Sequence, residues 1–151
     1  MKFKKFNEFN EFNEFINEEN SMYTDKYADL TLSILQTYAQ CKMLHWGTLS
    51  YSQHVTFCSF MKEFDKLGDS LIESIMGKYG RPLIKSSNIE ILDYTQININ
   101  LYFNNLNEYF TNSINLFNPK EKNEDIVNIL AEIIALISKT RYLLTLNENK
   151  N

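Results

Sequence analysis

Both histidines of the chain, its only Trp and an acidic pair lie in one stretch, His45 to Arg81. His45 directly precedes Trp46, His54 follows nine residues on, and Asp69 and Glu73 stand four residues apart. On a helix that last spacing stacks both carboxylates on one face. Imidazole nitrogens with carboxylate oxygens, and no cysteine cluster, are donors suited to iron or manganese and acceptable to zinc. Asp65 falls on the same stripe and is a further candidate ligand, while Trp46 and Cys58 are oxidisable side chains beside it. Each feature alone has a plain structural use. A histidine at a helix end caps it, Asp-x-x-x-Glu is usually a solvated face, and a Trp usually anchors packing. Their joint order is what points to chemistry.

The spacing also limits how a metal could be held. His54 and Asp69 are fifteen residues apart, which on one helix is ~22 Å at a rise of ~1.5 Å per residue. Metal–ligand bonds are about 2 Å, so one ion cannot be held by both residues of one chain. Histidines of one copy and carboxylates of an antiparallel mate could share an ion. A two-fold pair would then carry two equivalent sites.

Helices must position these residues. With 151 residues, 44% hydrophobic content, four Gly and two Pro, the chain has enough core for one domain and little turn chemistry for an all-β fold. The expected fold class is all-α: a four-helix bundle over residues 23–146. A low-complexity Phe-Asn-Glu arm at 1–22 would precede it, and a frayed tail at 147–151 would follow. The first helix is expected from an N-cap at Thr24, with Asp25 in its first turn, to Trp46-Gly47. Leu30, Ile34, Tyr38, Cys41 and His45 would form its inner face. The second should run from Ser50 or Ser52 to Tyr79 and stop at Gly80-Arg81-Pro82. The third is expected over 96–117 and the fourth from an N-cap at Asn123. The short 48–50 connection makes the first two helices an antiparallel hairpin, and the long 83–95 link should cross to the other end of the bundle before a second hairpin.

Other classes fit less well. A net charge of −4 argues against broad nucleic-acid binding, which needs a basic surface. No run of the sequence is long and apolar enough for a bilayer, and the N-terminal repeats lack the apolar core of a signal peptide. Cys41 and Cys58 form no spaced metal or redox motif, and two buried free thiols are expected. The reading is of a soluble, cytoplasmic protein.

The stretch resembles the Dps-type miniferritins of the ferritin-like superfamily, and more closely a viral and phage ferritin-like group. His45-Trp46, His54 and Asp69-Ser-Leu-Ile-Glu73 match the Dps-type pattern, in which the ferroxidase site forms between two-fold-related subunits. The H-W-x-T-x-S-Y-x-x-H run and the G-K-Y-G-R ending look like the viral group. The resemblance implies a ferritin-like four-helix bundle. His45, His54, Asp69 and Glu73 would be catalytic residues and metal ligands, and Fe(II) would be oxidised by peroxide or oxygen. A dodecameric shell would store the ferric product against oxidative damage, in the host cytoplasm or in a virion. This chain departs from the family in two places. The segment between the histidines is shorter, and Cys58 stands where an aspartate is usual, a thiolate being a poor ligand for hard ferric iron. A ferritin-like structural or interaction protein without the chemistry is the alternative.

Overall fold

The computed structural model describes residues 23–24, 26–84 and 87–146. The arm at 1–22, Asp25 and the tail at 147–151 lie outside them. Among the described residues four helices carry the fold: α1 (Ala28–Gly47), α2 (Tyr51–Tyr79), α3 (Ile99–Ser113) and α4 (Glu124–Thr145). Two residues, Tyr23–Thr24 (β1), pair in parallel with Arg81–Pro82 (β2). No described helix is long and apolar enough to cross a membrane.

The pairing of β1 with β2 corrects the expected start of α1. Thr24 lies in that pairing and the helix begins only at Ala28, so Thr24 is too far from the helix to cap it. Tyr27 precedes the helix instead, its ring buried against Tyr79 and Phe117 with centroids 5.1 and 5.4 Å away. The inner face of α1 is also turned from expectation. Leu30, Ile34, Cys41 and Leu44 are buried, but Tyr38 is 37% exposed and His45 is only half-buried. Thr37 and Gln40 point inward. These polar residues can be buried because they find partners: Gln40 exchanges hydrogen bonds of 2.8 Å with both the carbonyl and the N–H of Leu92.

Helix α2 keeps its expected bounds. Ser50 caps it by accepting from the Gln53 N–H, and Gly80 ends it at φ 86°, a left-handed conformation that glycine adopts without strain. Its buried stripe is Phe57, Phe60, Met61, Phe64, Gly68, Leu71 and Ile75. Gly68 lets α1 approach closely, since a Cβ there would lie 2.8 Å from Cγ2 of Ile34. Alanine gains up to about 1 kcal/mol of helix propensity over glycine, but the β-branched Ile34 cannot swing that methyl aside. Overpacking costs about 1–3 kcal/mol. The Gly68→Ala variant should therefore melt a few degrees lower, and adding Ile34→Leu, which removes the branch at Cβ, should recover the loss. A higher melting temperature for Gly68→Ala alone would mean that propensity outweighs the clash.

The link after β2 runs the length of α1. Gln36 donates to the Glu90 carbonyl at 3.0 Å, Gln40 holds Leu92, and Tyr94 reaches Gln53 at the far end. A capped 3-10 turn, Tyr94–Gln96, takes in Gln96, the expected first residue of α3. Asn98 caps α3 by accepting from the Leu101 N–H, so the helix begins later than expected. At its other end the chain tightens into a 3-10 turn, Ile114–Leu116. Asn123 precedes α4 as expected, but its side chain donates to the Asn118 carbonyl and accepts from the Tyr79 hydroxyl rather than capping. Asp125 pairs with Lys78 at 2.8 Å, tying the end of α2 to the start of α4.

Helix α2 packs between α1 and α4, and α3 closes on α4. Aromatic rings fill the centre. Phe60 stacks on Phe64 at 5.2 Å and meets Phe103 edge-on at 5.3 Å, and Phe64 meets Phe110 edge-on at 5.9 Å. Each fully buried ring contributes about 1.5–3 kcal/mol of apolar burial. The fourth helix adds Ile126, Leu130, Ile133, Leu136 and Ile137.

Candidate metal centre

The hairpin of α1 and α2 brings the two histidines into contact. Residues 48–50 turn the chain back, leaving His45 in the last turn of α1 and His54 in the first turn of α2. Their rings stack with centroids 3.9 Å apart and planes inclined by 28°. Each ring is tied to the other residue's backbone. Nδ1 of His45 lies 3.2 Å from the His54 carbonyl oxygen, and Nδ1 of His54 lies 3.1 Å from the His45 carbonyl oxygen. A carbonyl oxygen only accepts, so both Nδ1 atoms must carry the hydrogen. In the neutral rings Nε2 is then the unprotonated nitrogen on each. Anchoring one imidazole nitrogen so that the other is free is how proteins prepare histidines to ligate metal.

The acidic residues are elsewhere. Asp65, Asp69 and Glu73 are all exposed on α2, and the helix carries Asp69 ~22 Å from His54. Among the described residues no three or more His, Cys, Asp and Glu side chains gather to hold an ion. The structure thus joins His45 with His54 and leaves the carboxylates apart from them within one chain.

Trp46 is 67% exposed, with Nζ of Lys42 5.4 Å from its ring centroid. It therefore does not anchor the core. Leu35, Tyr38 and Trp46 recur at helical spacing on α1 and are exposed, as are Leu49 in the connection and Tyr51 and Val55 on α2. The imidazole pair sits where these two apolar stripes meet.

The thiols are both free, but only Cys41 is buried, Cys58 being half-buried. This corrects the expectation of two buried thiols. One turn after the exposed His54, Cys58 shares the outward side of α2. Burial pushes the Cys41 thiol up to about 12, against a hydrogen bond from Tyr102 that acts the other way. Burial likewise raises the Tyr102 hydroxyl. A thiol held neutral is neither nucleophile nor metal ligand, so Cys41 belongs to the core.

Of three residues that hold the pair, Gln53 and Tyr94 were not singled out from the sequence, and Gly47 was given a different use. Gln53 accepts at one oxygen from the Thr48 hydroxyl at 2.7 Å and from the Tyr94 hydroxyl at 3.0 Å. Gly47 was expected to end α1 through its conformational freedom, yet it is the last helical residue and the extended Thr48 caps the end. Its use is room: a Cβ at position 47 would overlap the Cβ of Tyr94. A glycine before a three-residue connection was the available signal for Gly47. Nothing local marks Tyr94.

Residues 45–144, about two thirds of the chain, match a family model described as "Family of unknown function (DUF5856)". No curated protein and no solved structure matches. The match begins at His45 and runs through α2, α3 and nearly all of α4, so it takes in the imidazole pair, the carboxylates and the link that crosses beside α1. The chain belongs to the DUF5856 family.

Proposed function

We propose that this protein is a miniferritin-like ferroxidase. Ferrous iron is its substrate, bound between His45 and His54 of one copy and Asp69 and Glu73 of a two-fold mate. The observation that carries the reading is the mutual anchoring of the two imidazoles through Nδ1, which leaves two Nε2 atoms as ligands. Three further features support it. The carboxylates share α2 with His54 but lie several turns away, as an antiparallel mate would require. Exposed apolar residues border the pair, as a buried contact with a second copy would use. The hairpin–link–hairpin path is one that a ferritin-like bundle would need.

In the reaction two ferrous ions each give up one electron, and the O–O bond of peroxide takes both and breaks. With two protons the products are water and ferric iron, and oxygen can serve as the oxidant in place of peroxide. The imidazoles bind and orient the iron, the carboxylates favour the ferric product, and the apolar border keeps bulk water from the contact. Asp65 supplies a further carboxylate along the same stripe. Storage of the ferric product in a closed, dodecameric shell, in a cytoplasm or a virion, belongs to the same proposal.

A second reading has an observation of its own. Cys58 occupies the outward position one turn after His54, where a carboxylate would serve iron better. It favours a structural or interaction protein that keeps the bundle without the chemistry. One titration separates the two. Metal-free protein given Fe(II) and then hydrogen peroxide should consume about one peroxide for every two ferrous ions, the ratio of the two-electron reaction, and should suppress hydroxyl-radical formation. Oxidation no faster than in buffer would favour the structural protein.

A further inference from the structure

We propose that Tyr94, in the link that crosses beside α1, is a positioning residue for the imidazole pair. The proposal rests on the pair being the metal-binding element described above.

Each imidazole takes its orientation from the backbone carbonyl of the other histidine. Ring orientation and tautomer therefore depend on the register between the end of α1 and the start of α2. Three residues, Thr48 to Ser50, set that register. Within the hairpin, Thr48 accepts from the Ser50 N–H at 3.1 Å and donates to Gln53, and Ser50 accepts from the Gln53 N–H. These bonds are local. Tyr94 reaches the same network from outside the hairpin and touches it twice. Its hydroxyl donates to the Gln53 oxygen that Thr48 also uses. Its Cβ fills the space where Gly47 has no side chain. One contact falls next to His54 and the other two residues after His45, so the tyrosine spans both halves of the pair.

Tyr94 is itself fixed. Asp93 accepts from the Thr95 N–H at 3.0 Å, and the Asp93 N–H donates to Gln96, closing the 3-10 turn in which Tyr94 sits. Just before it, Gln40 of α1 holds Leu92 by two bonds. The crossing link is thus tied to the middle of α1 and bears on its end through Tyr94. A residue that only plugged the hairpin would need the ring. The hydroxyl, aimed at the oxygen shared with Thr48, is the part that sets register.

Tyr94→Phe keeps the ring and removes that hydroxyl, and Gln53→Met removes the shared acceptor while keeping much of the bulk. Long-range 15N–1H spectra of metal-free protein labelled at histidine report the tautomer of each ring directly. Wild type should show both imidazoles with the hydrogen on Nδ1. Both variants should show at least one ring shifted toward hydrogen on Nε2, and Co(II) affinity roughly 10-fold weaker, the lower end of what lost positioning partners cost a metal site. If both variants keep the wild-type tautomers and Co(II) affinity and lose only thermal stability, Tyr94 is a plug and the proposal falls. Because the tautomer is read without metal, the two proposals fail separately. A tautomer shift in a protein that never oxidises iron would leave Tyr94 in its role and remove the ferroxidase.

Discussion

The double variant Asp69→Ala/Glu73→Ala should lose iron oxidation by on the order of 100-fold or more, since loss of a supporting partner alone costs 10–100-fold at metal sites. It should still melt within a few degrees of wild type. Both side chains are exposed, and surface substitutions of this kind change stability by about 0.5 kcal/mol or less. The loss would then belong to the chemistry and not to the fold. His45→Ala/His54→Ala should be equally inactive. Mixing the two inactive proteins is the sharper measurement. If each site takes histidines from one copy and carboxylates from the other, a mixed pair has one intact site of two. An equal mixture that re-pairs at random should therefore recover about one quarter of wild-type activity, by the symmetry of an isologous pair. Sites built within single chains would recover nothing, because neither variant carries a complete set.

The second large effect is on stability. Phe60→Ala should destabilise the protein by about 3–5 kcal/mol, the usual cost of removing a buried aromatic ring and leaving its cavity. For a chain of this size that lowers Tm by on the order of 10 °C. Phe60 is 1% exposed and touches rings from both its own helix and α3, so little surrounds it that can collapse into the gap. Phe60→Leu should cost markedly less, and Lys62→Ala, on the exposed side of the same helix, close to nothing. Thermal melts of the three variants check the order. A mild Phe60→Ala would mean that the aromatic centre is loosely packed.

What the sequence disclosed follows from how local each cause is. The end of α2 was legible because Gly80 must take a left-handed conformation and Pro82 cannot continue a helix. The apposition of His45 with His54 was legible because a three-residue connection allows the chain only to double back. The start of α1 was not, since Thr24 has the composition of a cap and is instead used by Arg81–Pro82, far along the chain. Tyr38 was misplaced for a related reason. Apolar periodicity assigns the inside of a helix to hydrophobic residues, whereas Thr37 and Gln40 take it here, Gln40 through bonds to Leu92, fifty-two residues away. The reciprocal imidazole–carbonyl bonds needed the real backbone, because spacing alone cannot tell a ring facing water from one facing a carbonyl.

The two ends of the described chain lie at opposite ends of the bundle, with a practical consequence for handling the protein. Tyr23 enters beside the foot of α2, one length of α1 or ~30 Å from His45. Helix α4 runs the other way, and Leu144 lines the same small cavity as Gln53 and Tyr94. An oligohistidine purification tag fused after residue 151 starts within five residues of Leu146, so its imidazoles are within reach of the pair, where they would compete for metal and crowd an approaching second copy. The same tag fused at the other terminus leads into Tyr23, at the opposite end of the bundle. Iron measurements on this protein should be made with the handle there, or with it cut away.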